Sequence, residues 1–311
     1  MRRIVLIPLS GYANRLQSIA SASILAHQLG ASLEVCWLPD EVAPVAMDRV
    51  LSTDFCAQHA ISPGQVYEET GIDPGRVPLH LNRKGPVITL AGHLRGEQAF
   101  MADLAKLLDD DVTTIIIRAG GRFYLPGPGV SESSFARMRS VFYQSRILRA
   151  EIEDDARLRA ERHHPYLGLH LRYTDRAHQA PFTRSIAAAL RSAAAASGLT
   201  EILIAGDTAA ARNQWTERAQ ALGLHPWSFD QQSWDRSEQG SEFPALVDWR
   251  LLSLARQSIY FAESTFAVEA AVASGDFDST YALPEHPVRS IGVRLAALGR
   301  SAITYPNRHW R

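Results

Sequence analysis

Lysine is almost missing from this chain: of its 32 basic residues, only Lys84 and Lys106 are lysines. The bias, with alanine runs such as Ala193–Ala196, reads as the imprint of a GC-rich genome, yet it has a chemical consequence. An anion site here is built from Arg forks or backbone N–H groups rather than from ammonium groups. Cysteine is equally scarce. Cys36 and Cys56 are too few for a disulfide framework and form no metal-ligand pattern, so a reduced, cytoplasmic setting is expected. Net charge is −1 over 311 residues, without the basic stripe that a nucleic-acid or membrane-surface binder carries. No apolar run is long enough to span a bilayer. Met1-Arg2-Arg3 before Ile4–Ile7 imitates a signal peptide, but the run stops at Pro8, and Asn14, Arg15 and Gln17 interrupt the next segment. A phosphate loop of the Gly-x-x-x-x-Gly-Lys type and a Gly-x-Ser-x-Gly elbow are both absent.

The chain does have an ordinary globular composition, 46% apolar and 21% charged, and a length sufficient for two domains. Ile4–Ile7 is a short apolar run ended by Pro8 and Gly11, as expected of a buried parallel strand. Leu16, Ile19, Ala20 and Ile24 then form one helical stripe closed by Gly30, and Leu33–Trp37 is a second strand. This opening is that of a doubly wound α/β domain. From Pro39 to Leu107 the pattern is hard to read, and Thr113–Arg118 is the next β-branched run. The second half alternates regularly. Helices are expected at Ser145–Glu161, Arg184–Ala196, Thr208–Leu222, Asp248–Gln257 and Thr265–Ser274. Strands are expected at Leu167–Leu171, Glu201–Ala205 and Ser258–Ala262, forming a second parallel sheet.

In open α/β sheets a ligand sits beyond the carboxyl ends of the strands, which narrows the search to the residues just past each strand. Ser10, Gly11, Asn14 and Arg15 come after the first; Arg172, Asp175, Arg176 and His178 come after Leu167–Leu171. Gly206, Asp207 and Thr208 come after Glu201–Ala205, and Glu263, Ser264, Thr265 and Phe266 after Ser258–Ala262. This chemistry suits a sugar nucleotide. Arg172 and Arg176 offer planar forks to diphosphate oxygens, and the helix opening at Ser264-Thr265 offers free N–H groups and a positive dipole end. Asp207 accepts hydrogen bonds, as a guanine edge or a ribose diol requires. Singly each has a plain alternative, a surface charge for Arg172 and a helix N-cap for Asp207 or Ser264; their coincidence at successive strand ends carries the argument.

These residues also carry a family resemblance. His170-Leu171-Arg172-Tyr173-Thr174-Asp175-Arg176 resembles the His-x-Arg-Arg-x-Asp-Lys motif of the α-1,6-fucosyltransferases and nodulation fucosyltransferases, a group extending to the protein O-fucosyltransferases. Gly11-Tyr12-Ala13-Asn14-Arg15-Leu16 is similar to their Gly-x-Gly-Asn-Arg-Leu/Met loop, and Ile204-Ala205-Gly206-Asp207-Thr208 to their Ala-Thr-Asp-Asp segment. Asp248-Trp249-Arg250-Leu251-Leu252 and Glu263-Ser264-Thr265-Phe266 resemble two further segments of the same group. The likeness implies a glycosyltransferase-B fold of two Rossmann-like, doubly wound parallel-sheet domains: residues 1–145 on the acceptor side and 146–311 holding the nucleotide sugar. It implies an inverting, metal-independent transfer of fucose or a related sugar from a GDP-sugar to an acceptor hydroxyl, with no cofactor. By the same likeness Arg172 binds the β-phosphate, His170 and Asp207 the guanine, and Ser264–Phe266 complete the phosphate cradle. Asn14, with Arg15 beside it, faces the donor from the first domain, while Arg176 and Asp175 join Arg172 in catalysis.

Two departures qualify the likeness. Tyr173 and Arg176 stand where the motif has its second Arg and its Lys, and Ala180 stands where the α-1,6 enzymes place a proposed general-base Glu. The base is therefore left open between Asp175 and His178, or a dissociative path needing little base help. A non-catalytic nucleotide-sugar-binding protein and a sugar-nucleotide hydrolase remain as alternatives. Asp276-Phe277-Asp278 spells a metal-binding Asp-x-Asp but has no strand before it, so it reads as a solvated turn. Asp109-Asp110-Asp111 reads as a charged helix end, and His163-His164 as a polar linker. His93, Arg95, Arg122 and Tyr124 are first-half loop residues suited to an acceptor.

Overall fold

The structure is a computed structural model that describes residues 2–77, 81–91, 97–125, 130–173, 183–229, 240–276 and 280–283, with backbone alone at 97–100 and 102. The described chain divides into two compact units, the first ending at Arg149 and the second beginning at Ala150. Each is a five-stranded sheet with helices.

In unit 1 the chain runs β1 (Arg3–Pro8), α1 (Tyr12–Leu29), β2 (Ser32–Val35), α2 (Thr53–His59) and α3 (Pro63–Thr70). It continues through β3 (Asn82–Lys84), β4 (Val87–Ala91), α4 (Glu97–Leu107), β5 (Thr114–Ala119) and α5 (Glu132–Gln144). The sheet order is β2-β1-β5-β4-β3. Ile4, Val5, Leu6 and Ile7 are all fully buried, because helices cover both faces of the central strand and no alternation with polar residues is tolerated. Ile4 pairs with Ile115 and Leu6 with Ile117 in the parallel ladder. The sheet departs from the expected all-parallel form at its edge, where β3 turns back on β4 through Gly85, whose φ is 58°. Asn82, Arg83 and Lys84 make that edge polar, which discourages pairing with another chain.

Unit 2 runs α6 (Ala150–His163), β6 (Leu167–Leu171), α7 (Thr183–Ser197), β7 (Glu201–Gly206), α8 (Ala209–Ala221) and β8 (His225–Trp227). It continues through α9 (Glu242–Leu254), β9 (Gln257–Phe261), α10 (Thr265–Ser274) and β10 (Thr280–Leu283). All its pairings are parallel, in the order β8-β7-β6-β9-β10. This is the doubly wound order, with a switch point between β6 and β9 where successive connections leave in opposite directions. Leu167, Leu169, Leu171, Ile202, Ile204, Ile259 and Phe261 pack with Ile186, Leu190 and Trp215 of the helices into one core.

Three features differ from the sequence expectation. The helix expected over Ser145–Glu161 is shorter at its start: Ser145 closes α5, Arg146 adopts φ 57°, Leu148 bridges to Leu51, and α6 starts only at Ala150. The left-handed turn and the antiparallel bridge compete with helix at that point. The helix expected at Asp248–Gln257 begins earlier, at Glu242, with Pro244 tolerated in its first turn, and ends at Leu254. His163-His164 is not a simple linker, since His163 Nδ1 lies 3.0 Å from a Glu201 carboxylate oxygen and its ring stacks on Trp227 at 4.2 Å. Among the described residues no helix is long and apolar enough to cross a membrane.

Gly168 shows how tightly the sheet of unit 2 meets its helices. A Cβ there would lie 3.1 Å from Ala255 Cβ and 3.2 Å from both Leu252 Cδ2 and Ser258 Oγ. We expect Gly168→Ala to cost about 1–3 kcal/mol through overpacking, read as a lower midpoint in urea; an unchanged midpoint would show that α9 yields.

Candidate functional site

The switch point of unit 2 brings together residues from three strand ends. His170 is the penultimate residue of β6 and is buried; its ring stacks on Phe266 in the first turn of α10, with centroids 5.1 Å apart and planes 24° apart. The exit of β6 is thereby locked to the start of the helix after β9. Arg172, partly buried, leaves the sheet next. Tyr173 N–H then donates to Asp207 Oδ1 at 2.7 Å, which ties the exits of β6 and β7 together. Asp207 is not the N-cap of α8, the plain alternative for an acidic residue at this place. Thr208 fills that role, its hydroxyl accepting from Ala211 N–H at 3.1 Å, and the Asp207 side chain is left to join the two strand ends.

The start of α10, like those of α1 and α9, lacks the side-chain cap that closes other helices. Helices α2, α3, α5 and α8 are capped by the side chains of Ser52, Ser62, Ser131 and Thr208. Ser264 occupies the N-cap of α10 but makes no capping bond. Its hydroxyl is buried without a hydrogen-bond partner among the described residues, and the residue is 1% exposed. A buried hydroxyl left unmatched costs free energy, so the position calls for an ordered water or a ligand atom as its partner. The first N–H groups of any helix lack intrahelical acceptors and carry a partial positive charge, which suits a phosphate oxygen. Thr265 and Phe266 belong to this first turn.

Behind the site lies an arrangement that sequence reasoning missed. Arg212, inside α8, donates through Nε to Gly206 O at 3.0 Å, through Nη1 to Phe229 O, and through Nη2 to the Asp248 carboxylate of α9. Both side chains are almost wholly buried. The guanidinium thus fixes the carbonyl immediately before Asp207. Burial pushes the Asp248 carboxyl up to about 6, against the downward pull of Arg212. Nothing in the local sequence marks Arg212, which sits in the alanine-rich opening of a helix. Asp248 is singled out only through the family likeness.

Tyr173 has no charge to offer where the family motif has its second Arg. Its hydroxyl accepts from Trp215 Nε1 at 3.0 Å, and burial raises its pKa, so it serves the core as a neutral group. Of the other expected residues, Asp175 and Arg176 lie outside the described residues, as do His178, Ala180, Asp278, His93 and Arg95. Asp276 pairs with Arg256 at 3.5 Å. Arg256 precedes β9 and Asp276 comes after α10, so this pair sits at the amino edge of the sheet, away from the switch point.

In unit 1 the loop after β1 is strained: Ser10 has φ 71°, rare for a residue with a Cβ. Asn14 Nδ2 donates to Ser10 Oγ at 3.1 Å, while Asn14 Oδ1 is buried without a partner among the described residues. Asn14 therefore keeps an unused acceptor. Arg15, expected beside it as a donor-binding group, is instead internal. It is fully buried, and its three nitrogens donate to Ser10 O, Leu38 O and the Asp40 carboxylate at 2.7–2.9 Å. Burial lowers its pKa while Asp40 raises it, and its guanidinium lies 4.5 Å from the Trp37 ring centroid. A buried guanidinium held through all three nitrogens shapes the loop. Among the described residues no group of three or more His, Cys, Asp or Glu side chains is placed to hold a metal ion.

Two α/β units, each breaking its strand order at the sheet centre, define the glycosyltransferase-B class of fold. No protein-family model and no curated protein matches the sequence. Solved structures do match. A mutant of Arabidopsis thaliana FUT1 in complex with GDP superposes with a TM-score of 0.62 at 15% identity, covering 88% of this chain and 69% of that one. The NodZ α-1,6-fucosyltransferase soaked with GDP-fucose gives 0.56 at 18% identity, over 88% and 93% of the two chains. POFUT1 in complex with GDP gives 0.52 at 10% identity, over 90% and 97%. At such identities the likeness establishes the fold, which this chain shares with fucosyltransferases along nearly all of its length.

Asp248 offers a test of the arrangement behind the site. Its carboxyl is raised from the ordinary value of about 3.9 to about 6 in the folded protein, where it is fully buried. The folded state then binds the proton more tightly than the unfolded state. This contribution to stability is complete below about pH 4 and is lost as pH rises through about 6. Asp248→Asn removes the titration. The stability of the wild type relative to Asp248→Asn should therefore decline between those limits when urea midpoints are compared across pH; a flat difference would contradict the assignment.

Proposed function

We propose that this protein transfers fucose or a related deoxy or L-sugar from a GDP-linked donor to an acceptor hydroxyl, with inversion and without a metal ion. The observation that carries the reading is the convergence at the switch point of unit 2. There His170 stacked on Phe266, Arg172, Asp207 and the uncapped start of α10 with its unmatched Ser264 hydroxyl lie at neighbouring strand ends. Solved structures of this fold hold GDP or GDP-fucose, according with the same reading.

The residues divide the work by chemistry. The Asp207 carboxylate suits the adjacent N–H donors of guanine, and His170 supplies a second polar edge beside it. In the transfer step the acceptor oxygen forms a bond to the anomeric carbon. The bond from that carbon to the β-phosphate oxygen breaks, and its electron pair leaves with GDP. Arg172, with Arg176 from the same segment, and the N–H groups of Thr265 and Phe266 stabilise the charge that develops on the diphosphate. The acceptor proton passes to a nearby base, for which the sequence offers Asp175 and His178. In this reading unit 2 holds the donor and unit 1 serves the acceptor.

Ligand-induced stabilisation tests the donor. A ligand at a hundredfold excess over its dissociation constant adds about 2.7 kcal/mol of stability. GDP should raise the melting temperature while UDP, CDP and dTDP should not, and EDTA should change nothing. A preference for UDP sinks the donor assignment, and EDTA sensitivity sinks the metal-free one. Arg172→Ala should lower turnover of GDP-fucose by about 10²–10³ in a GDP-release assay while the melting temperature holds. Near-wild-type turnover would remove Arg172 from the mechanism. Tight GDP binding with no turnover towards any acceptor would favour a nucleotide-sugar-binding protein, and release of free fucose a hydrolase.

A further inference from the structure

Unit 1 has its own break in strand order, between β1 and β5, and the loop leaving β5 meets a carboxylate that the donor reading does not use. Gly120 opens this loop against the exit of β1: a Cβ there would lie 3.3 Å from Leu9 O and 3.5 Å from Ser10 Cβ. Ser18 Oγ, 3.1 Å from both Ala119 O and Gly121 O, and Ser21 Oγ, accepting from Phe123 N–H at 3.2 Å, hold the loop along α1. On this braced loop Arg122 Nη1 donates to Glu132 Oε2 at 2.7 Å, and Tyr124 O–H donates to Glu132 Oε1 at 3.2 Å. The Tyr124 ring is set by Phe135, 4.5 Å away between centroids.

Glu132 is the first residue of α5, but it is not needed to cap that helix. Ser131 and Ser134 cap it reciprocally, each hydroxyl accepting the other's backbone N–H. The carboxylate instead reaches back to the loop, and its side chain remains 39% exposed. A carboxylate has about four lone-pair sites; Arg122 takes one on one oxygen and Tyr124 one on the other. Among the described residues each oxygen thus keeps acceptor capacity beyond these two bonds. A part-exposed carboxylate with capacity on both oxygens suits the two hydroxyls of a vicinal diol. Arg122 balances the charge, so the pair favours a neutral polyol over a cation. Burial, and next the Glu132 charge, raise the Tyr124 pKa, which keeps its hydroxyl a donor to the carboxylate.

We propose that Glu132, held by Arg122 and Tyr124, binds a vicinal diol of a neutral saccharide, and that this saccharide is the acceptor. The saccharide site stands on its own geometry; its role as the acceptor site rests on the transfer reading. Saturation-transfer NMR with a panel of neutral di- to tetrasaccharides, and a matched panel bearing uronic acids, tests it on the full chain. The wild type should bind members of the neutral panel. Glu132→Gln should weaken that binding by about 10- to 100-fold, the worth of a hydrogen bond to a charged group, while the melting temperature and its response to GDP stay unchanged. If Glu132→Gln fails to fold, Glu132→Asp, which withdraws the carboxylate by one methylene, should show the same loss. Absence of binding by the wild type, preference for the acidic panel, or equal binding by the variants would overturn the proposal. Saccharide binding without any GDP response would leave this site standing and remove the donor reading alone.

Discussion

Inside unit 2 the Arg212 guanidinium is cut off from water, and much of the site's shape depends on how it is satisfied. Burying a guanidinium and a carboxylate together costs several kcal/mol per ion in lost hydration, repaid only when the remaining donors find partners. Here they do. One nitrogen takes the Asp248 carboxylate, another the carbonyl of Gly206, the third that of Phe229. Three stretches far apart in sequence are pinned to one planar group: the end of β7, the segment after β8, and the middle of α9. Fixing Gly206 fixes Asp207, which accepts the N–H of Tyr173 and so fixes the backbone immediately after Arg172. The position of the candidate phosphate-binding arginine is set by another arginine that lies behind the site.

Unit 1 repeats the device. Arg15 reaches back from α1 to the carbonyl of Ser10, takes the carbonyl of Leu38, and pairs with Asp40. Asp40 in turn accepts the N–H groups of Val42 and Ala43 through its other oxygen. In both units a buried arginine early in the helix after a strand holds that strand's exit through one backbone carbonyl and one distant carboxylate. A lysine could not substitute, because three donors in a fixed plane are needed to reach three acceptors at once. The scarcity of lysine seen in the composition meets a structural use for arginine at these two points.

The same geometry explains what the sequence could and could not reveal. The central strands were legible because both faces are buried, leaving continuous apolar runs such as Ile4–Ile7 and Ile202–Ala205. The helix ends at Gly30, Gly198 and Gly275 were legible because each needs a left-handed backbone, and all three have φ between 57° and 73°. The roles of the arginines were not. Arg15 and Arg172 look alike on paper, each a few residues past a strand, and only partners lying 5 to 25 residues away in sequence show that the first is internal. Arg212 was invisible for the same reason, since its carboxylate lies 36 residues on. The stretch before β5 was opaque because its elements are short: β3 has three residues and α2 has seven, too few for a period to show. At Ser264 the sequence offered two readings, a cap or a ligand group, and the missing capping bond favours the second.

The substitution at Tyr173 bears on how a diphosphate would be held. An arginine there would add a second fork next to Arg172. Tyrosine turns that position inward: its hydroxyl receives the indole N–H of Trp215, whose ring lies under the Arg218 guanidinium, and Arg218 reaches Thr183 at the start of α7. The side chain thus joins the exit of β6 to α8 and, through it, to α7. In the proposed reaction the charge on the departing phosphate then falls to Arg172, to Arg176 from the same segment, and to the start of α10. The last of these acts through backbone dipoles that are already oriented, so it needs no side-chain rearrangement as the charge develops. An unmatched buried hydroxyl at Ser264 is consistent with this division. A helix start closed by its own side chain would have satisfied itself and offered less to the phosphate; without a capping bond, both the Ser264 hydroxyl and the first-turn N–H groups stay available to the ligand.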